Sequence, residues 1–245
     1  MEQIIYDRMA ELDTKHWWYR ARRDILHTLI KRRINPPAKA KLLEIGCGTG
    51  HNLMMLRSFG SVDAIELHAE ARAIASTRLG HAVVDARLPE LTGISRNHYD
   101  LVAALDVVEH VEDDVAALRA MAACLAPGGH ILVTVPAFAW MWSGHDVANH
   151  HFRRYTQTSL RKAIEDAGLR VEFMGWFNAI LFPLAALNRI AARITGKTGS
   201  ADTLPPAPIN WLFGSLFALE KHLIGRLPMT PGVSIAAIIV PCDPA

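Results

Sequence analysis

The residues with the most chemical promise are three glycines and the acids around them. The stretch LLEIGCGTG sets Gly46, Gly48 and Gly50 at G-x-G-x-G spacing. Glycine lets backbone approach a ligand closely, and a helix that follows aims unpaired N–H groups at it. The dinucleotide fingerprint G-x-G-x-x-G is not met, because position 51 is histidine. Glu44 stands immediately before the loop. A carboxylate there repels a pyrophosphate and suits a cation. Glu66 comes about 20 residues later, the separation at which an acid takes both hydroxyls of a ribose. Asp85 is suited to accept from an adenine amino group. Asp106-x-x-Glu109-His110 gathers two carboxylates and an imidazole within one helical turn. That is a ligand set for a hard or borderline cation, or simply a helix start with favourable acids. Between Trp140 and Tyr155 lie His145, Asp146, His150, His151, Arg153 and Arg154. Histidine titrates near neutrality and can take a proton from a hydroxyl, while arginine can hold an anionic group. A solvated polar loop is the bland alternative.

Such residues need a scaffold, and the chain supplies one. KLLEIG, VDAIEL, HAVVDA, YDLVAALD and HILVTVPA are short apolar runs, separated by the helical stretches HNLMMLRSFG, AEARAIASTRLG and VEDDVAALRAMAACLAPGG. This alternation predicts an α/β fold, a doubly wound and mostly parallel sheet buried on both faces. Ligands bind such sheets outside the carboxyl ends of the strands. Glu44, Glu66, Asp85 and Asp106 close the first four runs, so all four are expected on that rim. Asp113/Asp114 should start the helix before HILVTVPA, and Pro127-Gly128-Gly129 should stop it. TSLRKAIEDAGLR reads as a helix with Thr158 or Ser159 near its N-cap and Gly168 as its stop. VEFMGWF reads as a strand, and VSIAAIIVP as a last strand beside it. The residues between them are helical and apolar, interrupted by a Gly/Ser/Pro-rich break at TGKTGSADTLPPAP.

Composition narrows the class. The chain has 245 residues, 51% hydrophobic and 20% charged, with a formal charge of +2. That suffices for a sizeable core, excludes a disordered chain, and lacks the basic excess of a general nucleic-acid binder. Cys47, Cys124 and Cys242 are odd in number and widely spaced, which suits a reducing compartment. The first residues show no apolar signal region, and no stretch of about 20 residues is apolar and uninterrupted, so the expected location is cytoplasmic.

Taken together, LLEIGCGTG, DAIEL, VVDA and LAPGG resemble the class I S-adenosylmethionine-dependent methyltransferase family over roughly residues 40–175. The resemblance implies a seven-stranded Rossmann-like sheet and S-adenosylmethionine as cofactor. It implies that Glu44 and the Gly46–Gly50 loop, Cys47 included, hold the methionyl part. Glu66 would then take the ribose, and Asp85 with Ala86 the adenine edge, Asp106 closing the site. DVVEH and HHFRRYT are similar to the ubiquinone-pathway O-methyltransferases, whose E-x-x-E-H pattern can hold a divalent ion. By that likeness Asp106, Glu109 and His110 are the metal candidates, with an aspartate where the pattern has glutamate. His110, His145 and His150 are the candidate bases, and Arg153, Arg154 and Tyr155 the candidate substrate contacts. An N-terminal helix often folds over the cofactor in this family. Trp18 and Arg22 share a helical face, an arginine there suiting the methionine carboxylate. Asn35-Pro36-Pro37 resembles a motif of nucleobase amino methyltransferases, but it precedes the first strand and reads as a turn.

The expected organisation is a single domain over 1–245: a helical lid at 1–39, a core at 40–175 and 232–241, and a helical apolar insertion at 176–231. The expected reaction is methyl transfer to an oxygen of a small, rather apolar acceptor. N- or C-methylation, and a non-catalytic adenosyl-ligand or membrane-surface module, are the alternatives. The apolar insertion suits a cap over substrate, peripheral contact with the inner face of a membrane, or a subunit interface.

Overall fold

The structure, a computed structural model, describes residues 3–195 and 203–242. Helices α1 (Gln3–Leu12) and α2 (Trp17–Leu29) precede strand β1 (Ala40–Ile45). Then follow α3 (Leu53–Arg57), β2 (Gly60–Ile65), α4 (Ala69–Leu79), β3 (Tyr99–Leu105) and α5 (Asp114–Ala123). The chain continues through β4 (Leu125–Pro136), α6 (Gly144–Ala148), α7 (Gln157–Asp166) and β5 (Leu169–Phe177). Helices α8 (Phe182–Thr195) and α9 (Ala207–Ala218) lead to β6 (Ser234–Pro241).

The sheet has the order β2-β1-β3-β4-β6-β5. Strands β2, β1, β3 and β4 pair in parallel, and β6 runs antiparallel to both β4 and β5. β5 therefore points the same way as β4. The carboxyl ends of five strands share one rim, and the residues that follow them are the ones the sequence marks for chemistry.

The α/β class and the parallel pairing are as expected, but the sheet has six strands rather than seven. HAVVDA makes only one isolated bridge, Val84 to Ile65. Val84 and Asp85 face solvent on the outer side of β2, so this short edge has too little to bury to extend the ladder. α5 stops at Ala123 rather than at the Pro-Gly-Gly, which β4 absorbs. The N-cap of α7 is Thr156, with Ser159 completing a reciprocal capping pair. Residues 196–202 of the Gly/Ser/Pro-rich break lie outside the described residues.

Alternate strand residues feed two cores, as a sheet covered on both faces requires. Val102, Ala104, Ile131 and Val133 pack with Leu118 of α5 and Leu160 of α7. Leu101, Ala103, Leu132 and Ile238 pack with Ile25, Leu26 and Leu29 of α2 and Phe217 of α9. Each large apolar side chain so buried contributes roughly 1.5–3 kcal/mol. α9 is held on α2 through Trp17, whose ring meets Phe213 and Phe217 at 5.6 and 5.8 Å. Glu220, fully buried, accepts the N–H groups of Asn178, Ala179 and Ile180 at 2.6, 2.7 and 2.8 Å. One carboxylate thus ties the end of the insertion to its beginning and satisfies three donors left by the end of β5.

Candidate functional site

The glycine loop turns sharply between β1 and α3. Gly46, Gly48 and Gly50 all hold positive φ, at 61°, 55° and 85°. A Cβ on Gly50 would stand 2.6 Å from Leu53 and 3.2 Å from the Ala75 backbone, so only glycine lets α4 pack here. The Gly48 N–H donates to Glu66 Oε2 at 2.8 Å, and the His68 N–H donates to Oε1 at 2.8 Å. Glu66 is buried at the tip of β2 and fixed beside the loop. From α1, the Tyr6 hydroxyl donates to Glu66 Oε1 at 3.5 Å while its ring stacks on His68. Burial, then the Glu66 charge, pushes the Tyr6 phenol up, so it stays a donor.

Behind the loop, Glu44 is buried, and Asn52 donates to its Oε1 at 2.9 Å. Its Oε2 has no protein partner. Burial pushes the Glu44 carboxyl up to about 7, against the pull of Asn52 and Arg22. Arg22 reaches the rim from α2, fully buried, with its Nη2 donating to Asp106 Oδ2 at 2.7 Å and Thr134 Oγ1 at 2.8 Å. Its Nε and Nη1 have no protein partner. The Trp18 ring lies against the guanidinium at 5.2 Å. Asp106 follows β3 with φ of 60° and also accepts from the Thr134 hydroxyl. Cys47 is a buried thiol whose backbone N–H joins the loop to Ile65. Asp85 pairs with Arg72 at 3.1 Å on the outer edge, and Ala86 beside it is buried.

A second cluster forms where the turn after β3 meets α6. The His110 and His151 rings stand edge to face at 4.6 Å. Glu109, His110 and His151 can each offer a ligand atom, all within 4.8 Å of one another. Both Glu109 oxygens are buried without a hydrogen-bond partner, and burial, then Asp106, raises its carboxyl well above the usual range. His151 Nδ1 bonds Asp146 Oδ1 at 3.0 Å, while Arg154 Nε donates to the same oxygen at 2.7 Å. Burial raises the Asp146 carboxyl, but the bonds from His151 and Arg154 outweigh it and hold the group well below the carboxylate range. Burial, then His151, lowers His110 to about 4. Beside this cluster, Phe138 stacks on Trp176 at 4.8 Å and meets Phe182 at 5.5 Å, with Trp140 on its flank.

The structure gives several of the expected site residues partners within the chain. Asp106 is the partner of Arg22 rather than of Glu109 and His110; His151 completes that trio instead. His145 and His150 are exposed, whereas His151 is nearly buried. The expected substrate contacts go to intramolecular partners. Arg153 and Tyr155 bind Asp114, and Arg154 binds Asp146. Sequence reasoning passed over Asn52, Thr134 and the ring of Phe138, and it named Asp146 and His151 in the loop without giving either a role. A signal existed for Asp146: Ser143 three residues earlier makes a capping pair, and a buried capping acid orients what it bonds.

Comparisons with known proteins bear on the family and the fold. A family profile described as "Methyltransferase domain" matches residues 14–172. A "Ubiquinone biosynthesis O-methyltransferase" of Xanthomonas axonopodis pv. citri is 29% identical over 191 residues, covering 68% of this chain and 80% of that protein. A geranyl diphosphate C-methyltransferase of Streptomyces coelicolor A3(2) shares the fold with a TM-score of 0.58 at 12% identity, covering 89% of this chain and 78% of that one.

Proposed function

We propose, proceeding from the fact that the chain belongs to the methyltransferase-domain family, that it methylates an oxygen on a small, rather apolar acceptor. It is a class I methyltransferase, an enzyme dependent on S-adenosylmethionine. The observation that carries the reading is the buried Glu66 carboxylate, bonded by the Gly48 N–H at the sheet rim.

Two orphaned groups test the fit of the cofactor. Glu44 Oε2 and the Nε and Nη1 of Arg22 are buried and unpartnered, opposite in charge and suited to the amino and carboxylate ends of a methionyl group. Glu66 would take the ribose hydroxyls, Asp85 and Ala86 the adenine edge, and the backbone of Gly46, Cys47, Gly48 and Gly50 would line the approach. Trp18 would pack behind Arg22, and Asp106 would keep Arg22 aimed. Residues 1–39 would act as a lid, since Tyr6 of α1 already bonds Glu66. When bound, S-adenosylmethionine supplies a methyl group activated by its positive sulfur.

For the acceptor, Phe138, Trp140, Trp176 and Phe182 offer an apolar wall. His151, oriented by Asp146, would remove the hydroxyl proton. His110 is neutral above about pH 4 and would accept or relay a proton beside it. A second reading is favoured by the unpartnered oxygens of Glu109. Glu109, His110 and His151 would hold a divalent ion, with Asp146 behind His151 as the supporting carboxylate. The ion would polarise the acceptor oxygen.

The chain should release S-adenosylhomocysteine when given S-adenosylmethionine and alkyl-substituted phenols, and not with matched anilines or carbon acids. Release with anilines alone would overturn the oxygen assignment. Affinity for the cofactor should also follow pH. Glu44 titrates at about 7 and must ionise to face a cation. Its raised value leaves it neutral below that point, so binding should tighten roughly tenfold between about pH 6 and pH 8. Calorimetry should show this in the wild type and a flat, weaker profile in Glu44→Gln. A flat wild-type profile would remove Glu44 from the site.

A further inference from the structure

We infer that the exposed apolar face of α8 and α9 docks on an anionic lipid bilayer. No described side chain of α8 is buried. Leu184, Leu187, Ile190 and Ile194 recur at helical spacing, and Leu187 and Ile194 are 65% and 80% exposed. On α9 one face packs on α2, while Ile209, Trp211 and Leu212 look outward, Trp211 at 71% exposure. Isolated exposed leucines are ordinary, but a continuous row of them is not.

Charge decides between the occupants. Between residues 178 and 219 the sequence holds Arg189, Arg193 and Lys197 against one acid, Asp202, which with Lys197 lies outside the described residues. The next acid, Glu220, is buried on backbone donors. Arg193 is exposed and Arg189 half-buried on α8 itself. A second copy of this chain would set these cations against each other, and the acid whose charge reaches Arg189, Asp146, is already held by Arg154 and His151. Phospholipid headgroups of negative charge answer them directly, and the leucines and Trp211 enter the boundary below. Among the described residues no helix is long and apolar enough to cross a membrane, so the contact is one of lying on the surface.

The face adjoins the site. α8 leaves the rim just after β5, and Phe182 in its first turn touches Phe138 and Trp140. A bilayer there would hold an apolar acceptor beside the Phe138 and Trp140 rings; that consequence rests on the methyl-transfer reading, whereas docking does not.

Sedimentation with vesicles tests the docking. The full chain should pellet with mixed phosphatidylcholine–phosphatidylglycerol vesicles, and not with phosphatidylcholine alone. The double variant Leu187→Glu/Ile194→Glu should bind at least about tenfold more weakly. Arg189→Gln/Arg193→Gln should lose the preference for the anionic lipid. Trp211→Phe should remove the vesicle-induced blue shift of the tryptophan fluorescence. Cofactor affinity by calorimetry should be unchanged in every variant, which certifies the fold. Failure of the wild type to pellet, equal pelleting of Leu187→Glu/Ile194→Glu, or a dimer in light scattering that this variant dissolves would each overturn the proposal. A wild type that pellets yet binds no S-adenosylmethionine would sink the functional reading and leave docking intact.

Discussion

Glu66→Ala will abolish measurable S-adenosylmethionine binding, and Gly48→Val will do so independently. The first loses a carboxylate acceptor at the rim. Hydrogen bonds to a charged group are worth about 1.5–3 kcal/mol each, so losing two ribose contacts costs roughly 3–6 kcal/mol, about two to four orders of magnitude in affinity. The variant also frees the N–H groups of Gly48 and His68, which loosens the loop. The second acts through backbone. Gly48 sits at φ of 55°, where any side chain costs about 1–2 kcal/mol and a β-branched one more. Its Cβ would also come within 3.3 Å of Met9 on α1. Calorimetry reads the loss, and a thermal melt shows whether the chain still folds. Wild-type affinity in both folded variants would discard the rim as the cofactor site.

His151→Ala should lower kcat by about two to four orders of magnitude while leaving cofactor affinity unchanged. Asp146→Asn should lower it by less and should also shift the pH profile. The amide cannot replace the carboxylate's hold on both His151 and Arg154. The pH profile separates the candidates. His110 is pushed down to about 4, so it is neutral at physiological pH and contributes no limb there. A limb that vanishes in His151→Gln assigns the base to His151; a limb near pH 4 that survives in that variant assigns it to His110. Stringent chelation divides the two readings of the trio. Turnover lost and then restored by a divalent ion favours a metal on Glu109, His110 and His151. Turnover unaffected by chelation leaves His151 as the base.

The legibility of this chain follows the range of the forces involved. Strands and the glycine loop could be read because apolar runs and turn glycines answer to local rules, and β1 to β4 follow the runs that predict them. The acids on the rim could be read because a parallel sheet carries every strand end to one edge. Pairing across the sheet was not legible. Asp106 and Arg22 are 84 residues apart in sequence, and nothing local says that the arginine of α2 will claim that carboxylate ahead of a metal. The histidine loop shows the same limit at short range. His145, His150 and His151 look equivalent on paper. α6, capped by Ser143 and Asp146, turns two of them outward and brings His151 against Asp146 and His110. The missing strand is the converse case: HAVVDA has the right residue types, but burial on one side of an edge is not enough to continue a sheet.

The pairing of β5 with β6 carries a consequence for descent. Phe177 and Ser234 are neighbours across that antiparallel ladder, so the segment between them leaves and re-enters the sheet at adjoining points. Exchange for another stretch that also covers α2 would leave the strand order intact, since Phe217 of this segment closes the core on that helix. The ladder thus makes the stretch a graft point, where the surface beside the rim can be altered with the order of the strands kept.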